Sequence, residues 1–355
     1  MNKGQQKKET YSFGKLAGKK PAEFCYKLEA DGIAPLNMKN ILERDHQLGE
    51  GASGAMLAIL KNQKFVVENS KLCSLNILFP EDQPEHVISV YVNSLIDELN
   101  ATRKIISDKC FIVESVFVGQ GALLLPDKIL AKFLECCAYP NVEFTLDVGK
   151  CKALTQDKMD ILLKYGVNSL SFDVASFVEK TRSSTKLNDF LKIYKICLKA
   201  NINVNLHLLN GLGSETWQDF TNSLGLACEL SPVNLSVSTA PRQKFTQEKL
   251  KEVTRNTWRA YELLQKAGYS PYAIVGEQAG EGYVYTLNYC KSAKVNKFRV
   301  FVSRGRSTVI GVGMGAESTK ADHLKSDIVR LTNTADLSEY VFDINTVKRK
   351  KEQFF

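Results

Sequence analysis

The sequence has 355 residues, of which 44% are hydrophobic and 24% are charged, and its formal net charge is +8. This composition is ordinary for a folded globular protein and excludes a chain that is disordered throughout. No apolar run approaches the roughly 18 residues of a membrane-spanning helix, so no membrane span is predicted. The nine cysteines are odd in number and share no repeated short spacing. They therefore predict free thiols in a reducing compartment and, together with the absence of an apolar leader, a cytoplasmic protein.

The positive charge is concentrated at the two ends of the sequence. Residues 1–22 contain six lysines, and residues 348–351 read KRKK. Such runs are typical of solvated tails, so we expect a disordered basic tail over residues 1–22 and a second basic tail over residues 346–355. No specific nucleic-acid interface is predicted. Residues 23–71 show helical patterns without strand signals and are expected to form an N-terminal helical segment.

Between residues 72 and 240, short apolar segments alternate with longer helical ones. The predicted strands are Leu75–Phe79, Val113–Val118, Phe144–Leu146, Ser169–Phe172, Val204–Leu208 and Leu235–Ser238. Strand and helix in sixfold alternation predict an α/β fold with a parallel sheet, which we interpret as a partial (β/α)6 barrel. In barrels of this kind ligands bind at the C-terminal ends of the strands.

Residues 241–345 have a different character, which predicts a smaller C-terminal α+β extension packed on the barrel. A long amphipathic helix over Gln247–Lys266 is followed by a segment rich in glycine and tyrosine. The next segment, VFVSRGRSTVIGVGMGAES, is interpreted as strands that close on a glycine-rich turn. Thr334 or Asp336 is expected to cap a final helix.

Eight segments in this order carry a family resemblance from about Leu72 to Tyr340. They are SVFVGQGALLL (115–125), VEFTLDVG (142–149), YGVNSLSFDVASF (165–177), NVNLHLLNGLGSETWQDF (203–220), SPVNLSVS (231–238), AGYSPYAI (267–274), IGVGMGAES (310–318) and TNTADLSEY (332–340). The chain resembles the radical S-adenosylmethionine (SAM) proteins of the oxygen-independent coproporphyrinogen III dehydrogenase and haem-chaperone group, the HemN and HemW type. The resemblance implies a radical-SAM-type partial barrel that resembles part of a TIM barrel.

The resemblance also implies a [4Fe–4S] cluster, which the family holds with a CxxxCxxC loop directly after the first strand. Three thiolates fix three irons and leave the fourth iron open for SAM. In this sequence LNILFP is followed by EDQPEHVISVYV, which contains no cysteine. We therefore expect neither the cluster nor SAM to be bound, and no metal site is predicted.

Several family positions that contact SAM survive only as remnants. The glycine-rich G-G-G-T-P turn corresponds to Gly119 and Gly121, and the acidic residue of the third strand corresponds to Asp147. Ser169 stands where the family has an arginine, whereas Arg182 matches the arginine that follows in the next turn. Loss of the reactive residues with retention of the apolar frame indicates a pseudoenzyme.

The haem-chaperone branch has an H-N-x-x-Y-W motif, of which only Asn288 is retained here. His207 is the candidate axial ligand for haem, because it lies near the end of the fifth predicted strand and faces the barrel mouth if the alternation holds. Arg182, Arg304 and Arg306 are candidate partners for tetrapyrrole propionates.

Three functions remain open from the sequence. The first is a catalytically inactive, radical-SAM-like protein that binds a tetrapyrrole (haem or porphyrin) or a protein partner. The second is an oxidoreductase of porphyrin or haem metabolism with an atypical cluster, or an enzyme with radical-free chemistry that uses Asp147 and His207 as acid and base. The third is an interaction or effector protein that uses the barrel as a scaffold and makes contacts through the barrel mouth or the N-terminal segment.

Overall fold

The computed structural model describes residues 71–80, 83–149, 151–178, 187–213, 215–239, 247–279, 282–292, 294–304, 308–322 and 327–355. The predicted tail over residues 1–22 and nearly all of the predicted helical segment over residues 23–71 lie outside these ranges. The strands are β1 Leu72–Ile77, β2 Ile112–Val118, β3 Glu143–Asp147, β4 Ser169–Ala175, β5 Asn203–Asn210, β6 Asn234–Thr239, β7 Ser270–Ala279, β8 Gly282–Cys290, β9 Thr308–Val312, β10 Glu317–Asp322 and β11 Asp327–Thr332. The helices are α1 Glu85–Asp108, α2 Asp127–Cys137, α3 Gln156–Lys164, α4 Leu187–Lys199, α5 Trp217–Leu230, α6 Gln247–Lys266, α7 Lys297–Arg304, α8 Leu337–Phe342 and α9 Ile344–Phe354.

All the strands belong to one sheet, in the order β11-β10-β9-β1-β2-β3-β4-β5-β6-β8-β7. The central part, from β9 through β1 to β6, is parallel, and helices connect the six successive strands β1 to β6. Each of the six strands predicted from the sequence overlaps one of these. The predicted α/β class with a partial barrel is confirmed.

The C-terminal strands correct one expectation, because they continue the barrel sheet instead of packing on it. The β7–β8 hairpin pairs antiparallel with β6 at one edge, and β9 pairs parallel with β1 at the other edge, where β10 and β11 follow. Strand edges carry unpaired backbone groups, and these additions satisfy both edges of the six-stranded unit. The segment VFVSR, which was predicted as strand, lies in helix α7.

Helix α7 crosses the concave face of the sheet. Its Phe298 ring stacks on Phe117 of β2 with 4.5 Å between the centroids, and the Lys297 amide donates to the carboxylate of Glu143 on β3. The same helix also contacts β7 at the far edge of the sheet. A helix that contacts strands from both halves of the sheet closes one end of the lumen, the space that the concave face encloses.

The two faces of the parallel strands differ in polarity. Along β4, Leu170, Phe172 and Val174 are buried beneath the outer helices, whereas Ser171 and Asp173 alternate with them on the concave face. Alternation of this kind follows from the two-residue repeat of a strand. The lumen is therefore polar, and the main hydrophobic core lies between the sheet and its outer helices.

The expected basic tail over residues 346–355 is instead part of an ordered helix. Helix α9 packs against α1, and the Lys351 side chain is fully buried, with its ammonium group paired to the carboxylate of Glu98. Val347, one helical turn earlier, is also buried, so the two residues define the inward stripe of the helix. The sequence pattern failed here because one lysine of the basic run points inward. The preceding helix α8 is capped by Asp336, as predicted.

Among the helices within the described ranges, none has the length and apolar content that a membrane crossing requires.

Candidate functional site at the C-terminal edge of the sheet

The turn after β1 is packed into the hydrophobic core. Phe79 is buried, with ring centroids 5.9 Å from Tyr91 and 5.3 Å from Phe133. The Tyr91 hydroxyl donates to the Leu78 carbonyl at 2.7 Å, and the Leu78 amide donates to Val312. Both the backbone and the large side chain of this turn are thus held by contacts within the protein.

The donor atoms of this turn do not fit an iron–sulfur cluster. A cluster that leaves one iron open needs three thiolates from one short loop, and residues 78–84 read LFPEDQP. Strand β1 begins at Leu72, earlier than the predicted start at Leu75, so Cys73 lies within the strand. Burial there raises the pKa of its thiol to about 12. Within the described ranges, no three His, Cys, Asp or Glu side chains are grouped to hold a metal ion.

Gly119 and Gly121, which were predicted to match a SAM-binding turn, hold the end of β2 against the end of β1. The Gly119 amide donates to the Ile77 carbonyl at 2.8 Å. Gly121 has φ +112°, and a β-carbon at this position would come within 2.8 Å of the Phe79 β-carbon. This turn therefore needs glycine both for its backbone conformation and for its close approach to Phe79.

An open cleft of about 450 Å³ lies at the mouth of the barrel, over the ends of β1, β2 and β3. Its volume falls in the range of about 300 to 1,000 Å³ that is usual for small-molecule sites. The Lys158 ammonium group donates to the Leu123 carbonyl beside the cleft. The lining residues are Pro80, Gln83, Pro84, Ile88, Gln120, Gly121, Leu123, Leu124, Val148, Gly149 and Ala153.

Asp147, at the end of β3, is a carboxyl with a strongly altered acidity. Burial raises its pKa to about 6; the negative charge of Asp173 adds to this rise, while the Gly149 amide and the charges of Arg299 and His207 oppose it. The Gly149 amide donates to Asp147 Oδ1 at 3.0 Å. A carboxyl with this pKa can both accept and release protons near neutral pH.

Next to Asp147, a chain of hydrogen bonds runs across four strands. Asp173 Oδ1 on β4 lies 3.2 Å from His207 Nδ1 on β5. His207 Nε2 lies 2.6 Å from Ser238 Oγ on β6, and Ser238 Oγ is also bonded to the Thr286 hydroxyl on β8. Burial tends to raise the pKa of Asp173, but the hydrogen bond and charge of His207 outweigh it and lower that pKa. We call these four residues the lumen relay.

The backbone is irregular directly after Asp173. The pairing of β4 with β5 shifts register between Asp173 and Ala175, and Ala175 has φ +58°. Bulges re-aim side chains and recur beside active sites, and a non-glycine residue in the left-handed region costs energy that the surrounding structure must offset. The bulge therefore lies directly after the residue that contacts His207, at the end of β4.

The structure brings together two of the residues that were selected from the sequence and separates others. Asp147 and His207 lie on the same face of the lumen and interact through their charges, as the acid–base hypothesis requires. Ser169 is buried deeper, where its hydroxyl accepts a hydrogen bond from Asn205. The candidate ligand contact at Asn288 is corrected, because this side chain is fully buried and bonded to Ser236 and the Ala273 carbonyl.

The arginines proposed for propionates stay a prediction. Arg182 and Arg306 lie outside the described residues. Arg304 is the last residue of α7. Arg299 on the same helix is a described cation near the lumen carboxylates, and its charge lowers the pKa of both Asp147 and Asp173.

Asp173, Ser238, Thr286 and Arg299 were not selected from the sequence. A signal for the first two was present, because β4, β5 and β6 read SLSFDVA, NVNLHLLN and NLSVST, with a polar residue at almost every second position. Alternation of this type places Asp173, His207 and Ser238 on one face.

Comparisons with known proteins place this architecture. No family model matches the chain. The oxygen-independent coproporphyrinogen-III oxidase-like protein HemZ of Bacillus subtilis is 22% identical over 253 residues, which are 64% of this chain and 50% of HemZ. The heme chaperone HemW of Buchnera aphidicola (subsp. Schizaphis graminum) is 21% identical over 268 residues, which are 71% of this chain and 67% of HemW.

Among solved structures, the coproporphyrinogen III oxidase HemN from Escherichia coli, a radical SAM enzyme, matches with a TM-score of 0.57 and 14% identity, covering 84% of this chain and 74% of HemN. The chain shares the fold of this structure. The chain is therefore similar in sequence to proteins of the HemZ and HemW type and in fold to HemN. It spans only half the length of HemZ and about two thirds of HemW.

Proposed function

We propose that this chain is a catalytically inactive member of the HemN/HemW-like group with respect to radical chemistry, and that it binds a tetrapyrrole without an iron–sulfur cluster. One observation carries the proposal. The turn that should supply three thiolates contains none, and it packs Phe79 into the core against Gly121. A site that has exchanged cluster ligands for a buried aromatic side chain has no anchor for the reactive group.

The mouth cleft supports a tetrapyrrole as the ligand. A macrocycle needs apolar contacts, and the cleft of about 450 Å³ has the partly exposed Leu124 in a mixed polar and apolar lining, behind which Ile88, Leu123 and Val148 are buried. The propionates of a tetrapyrrole need cations beside the cleft. Lys158 is such a cation, because its ammonium group donates to the carbonyl of Leu123, a residue of the cleft lining. The named relatives supply the ligand class, since one is a heme chaperone and another is a coproporphyrinogen-III oxidase-like protein.

The proposed binding mode does not use His207 as an axial ligand. Both ring nitrogens of His207 already have partners, Asp173 on one side and Ser238 on the other. Coordination to haem iron would cost the hydrogen bond to Ser238. We therefore propose binding by apolar contact and propionate pairing, in which the central metal makes little difference.

Titration of the purified protein with haemin and, separately, with metal-free coproporphyrin tests this proposal, with the Soret band as the signal. We expect saturable one-to-one binding of both ligands with dissociation constants within about tenfold of each other, which is about 1.4 kcal/mol. Ala153→Trp, which fills the cleft, should weaken both. Leu163→Trp is the matched control, because Leu163 is exposed on α3 and does not line the cleft.

Two results would change the proposal in different ways. Haemin binding that is lost in His207→Ala and unaffected by Ala153→Trp would move the ligand from the cleft into the lumen. Absence of saturable binding of either ligand would overturn the tetrapyrrole proposal. The remaining candidate ligand would then be a protein partner, bound through the barrel mouth or through the N-terminal segment.

A further inference from the structure

The geometry points to Ser238 as an activated nucleophile for acyl transfer, with His207 as its general base and Asp173 as the residue that positions the base. This activity would act on an ester or thioester carbonyl in the lumen. It does not depend on tetrapyrrole binding in the cleft.

The first argument is the connectivity of the lumen relay. A serine hydrolase needs a hydroxyl bonded to one imidazole nitrogen and a carboxylate bonded to the other. Here Ser238 Oγ lies 2.6 Å from His207 Nε2, and Asp173 Oδ1 lies 3.2 Å from His207 Nδ1. With the proton on Nδ1 facing the carboxylate, Nε2 is left to accept the serine proton.

Thr286, the fourth residue of the lumen relay, sets the direction in which the hydrogen bonds of the relay donate. Thr286 and Ser238 share a hydrogen bond in which either hydroxyl can donate. When Thr286 donates to Ser238 Oγ, the Ser238 proton is free to point at His207 Nε2. The chain then runs from Thr286 through Ser238 and His207 to Asp173, with every proton directed toward the carboxylate.

The neighbouring Ser236 shows what a purely structural serine in the same place looks like. It lies two residues earlier on β6, is buried on the same face, and donates to Asn288 Oδ1 at 2.7 Å. An amide oxygen cannot take up the serine proton, so Ser236 has no base. Ser238 is equally buried, with 3% of its surface exposed against 7% for Ser236, and differs from Ser236 by having an imidazole as its partner.

The surroundings of the relay also suit a reacting group. The side chains of Asp173 and His207 are 47% and 22% exposed, so a carbonyl reaches the 3% exposed Ser238 from the side of its base. Asp147, Arg299 and His207 lie in the same part of the lumen, since the charges of Arg299 and His207 both lower the pKa of Asp147. The cation of Arg299 favours the negative charge that develops on a carbonyl oxygen during attack.

The reaction balances without any further reagent except water. Ser238 Oγ attacks the carbonyl carbon as its proton passes to His207 Nε2, and the bond from the carbonyl carbon to the leaving oxygen or sulfur breaks. The leaving group takes the proton from His207. Water then attacks the acyl-serine, gives a proton to His207, and releases the carboxylic acid as Ser238 regains its proton. No electron is transferred.

Labelling of the full chain with a fluorophosphonate probe tests the assignment, because this reagent captures activated serines by displacement of fluoride. We expect one adduct per chain, located on Ser238 by peptide mass mapping and absent in Ser238→Ala. Ser236→Ala should be labelled at the wild-type rate. Absence of an adduct on Ser238 in the wild-type protein would overturn the proposal.

The positioning role of Asp173 needs a kinetic readout that a structural role would not move. With a p-nitrophenyl ester as substrate, Asp173→Asn should lower kcat by roughly 100-fold or more, by analogy with the large losses seen when a triad carboxylate is replaced. KM and the melting temperature should stay near their wild-type values, because Asp173 is nearly half exposed. Equal kcat for Asp173→Asn and wild type would contradict the assignment. This variant also keeps the test valid if Ser238→Ala fails to fold.

Discussion

Two clusters of polar side chains lie on the two faces of the same sheet. Each pairs a carboxylate with a basic group, but one pair is buried and the other is partly exposed. On the helix-covered side, Glu98 accepts hydrogen bonds from Lys351, Tyr340, Asn333 and the Gly313 amide. We call this the Glu98 cluster. In the lumen, Asp173 contacts His207, which contacts Ser238. The first cluster joins parts of the chain that are far apart in sequence, and the second joins side chains of neighbouring strands.

Exposure separates the two clusters. The side chains of Glu98 and Lys351 are 0% and 1% exposed, whereas those of Asp173 and His207 are 47% and 22% exposed. A buried pair with all its partners in place stabilises a particular arrangement and is costly to break. A partly exposed pair contributes little stability but stays accessible to a ligand. We therefore assign the Glu98 cluster to stability and the lumen relay to function.

The largest expected effect tests the Glu98 cluster. Lys351→Met removes the ammonium group and leaves the Glu98 carboxylate buried without its counter-charge, which should lower the free energy of unfolding by about 3 to 5 kcal/mol. Urea denaturation measures the loss. The control is Lys350→Met, an exposed neighbour on the same helix, which should change stability by less than about 0.5 kcal/mol. If Lys351→Met lowered the free energy of unfolding by less than about 1 kcal/mol, the assignment of the Glu98 cluster to stability would be wrong.

The next effect concerns the contact between Gly121 and Phe79 at the turn after β1. Gly121→Ala places a methyl group within 2.8 Å of Phe79 in a residue with φ +112°. The left-handed backbone alone costs about 1 to 3 kcal/mol, and the clash adds to this loss. Gly166→Ala is the matched control, since Gly166 has φ +84° and no atom within 4 Å of the added carbon. Equal losses of unfolding free energy in the two variants would show that Phe79 does not occupy this space.

A third prediction concerns a carboxyl at the closed end of the lumen. Burial raises the pKa of Glu143 from 4.5 to about 7, against the opposing effect of the amide hydrogen bonds from α7. The folded state then binds the proton more tightly than the unfolded state does. The stability of the wild-type protein should therefore fall as pH rises from about 4.5 to about 7.

Glu143→Gln should flatten this part of the stability profile, measured by urea denaturation at several pH values. Asp147, whose pKa is raised by burial to about 6, should leave a smaller fall in the variant at the lower end of the range. An unchanged slope in Glu143→Gln would contradict the assignment of the titration to this residue.

The smallest effect on stability is expected in the lumen relay. Asp173→Asn replaces a partly exposed carboxylate that contacts His207 with a neutral amide, so the free energy of unfolding at pH 7 should change by less than about 1 kcal/mol. Thermal unfolding of the same preparation that is used for ester hydrolysis measures this change. A loss comparable with that of Lys351→Met would make the relay a structural element and erase the distinction between the two clusters.

The sequence predicted well what depends on local pattern. The six barrel strands follow from short apolar runs between crossover helices, and Asp336 follows from the preference for aspartate at a helix start. The missing thiolates after β1 could also be read directly. Each of these features depends on residues close together in the chain.

Features that depend on distant residues escaped prediction. The pairing of β9 with β1 joins segments more than 200 residues apart, and the burial of Lys351 depends on Glu98 in a helix of the first crossover. The lumen relay takes one residue from each of four strands, so its distances exist only after the sheet has formed. Alternation indicated which face these residues share but could not give the separation of their atoms.

We propose above that this chain, which shares the fold of HemN, builds no iron–sulfur cluster, and anaerobic reconstitution with ferrous iron and sulfide tests this proposal most directly. Escherichia coli HemN, a radical SAM enzyme, serves as the positive control. After desalting, we predict no stoichiometric iron and sulfide on this protein, no absorption band of a [4Fe–4S] cluster and no cleavage of SAM under reducing conditions. Four irons and four sulfides per chain, with SAM cleavage that depends on them, would contradict the account.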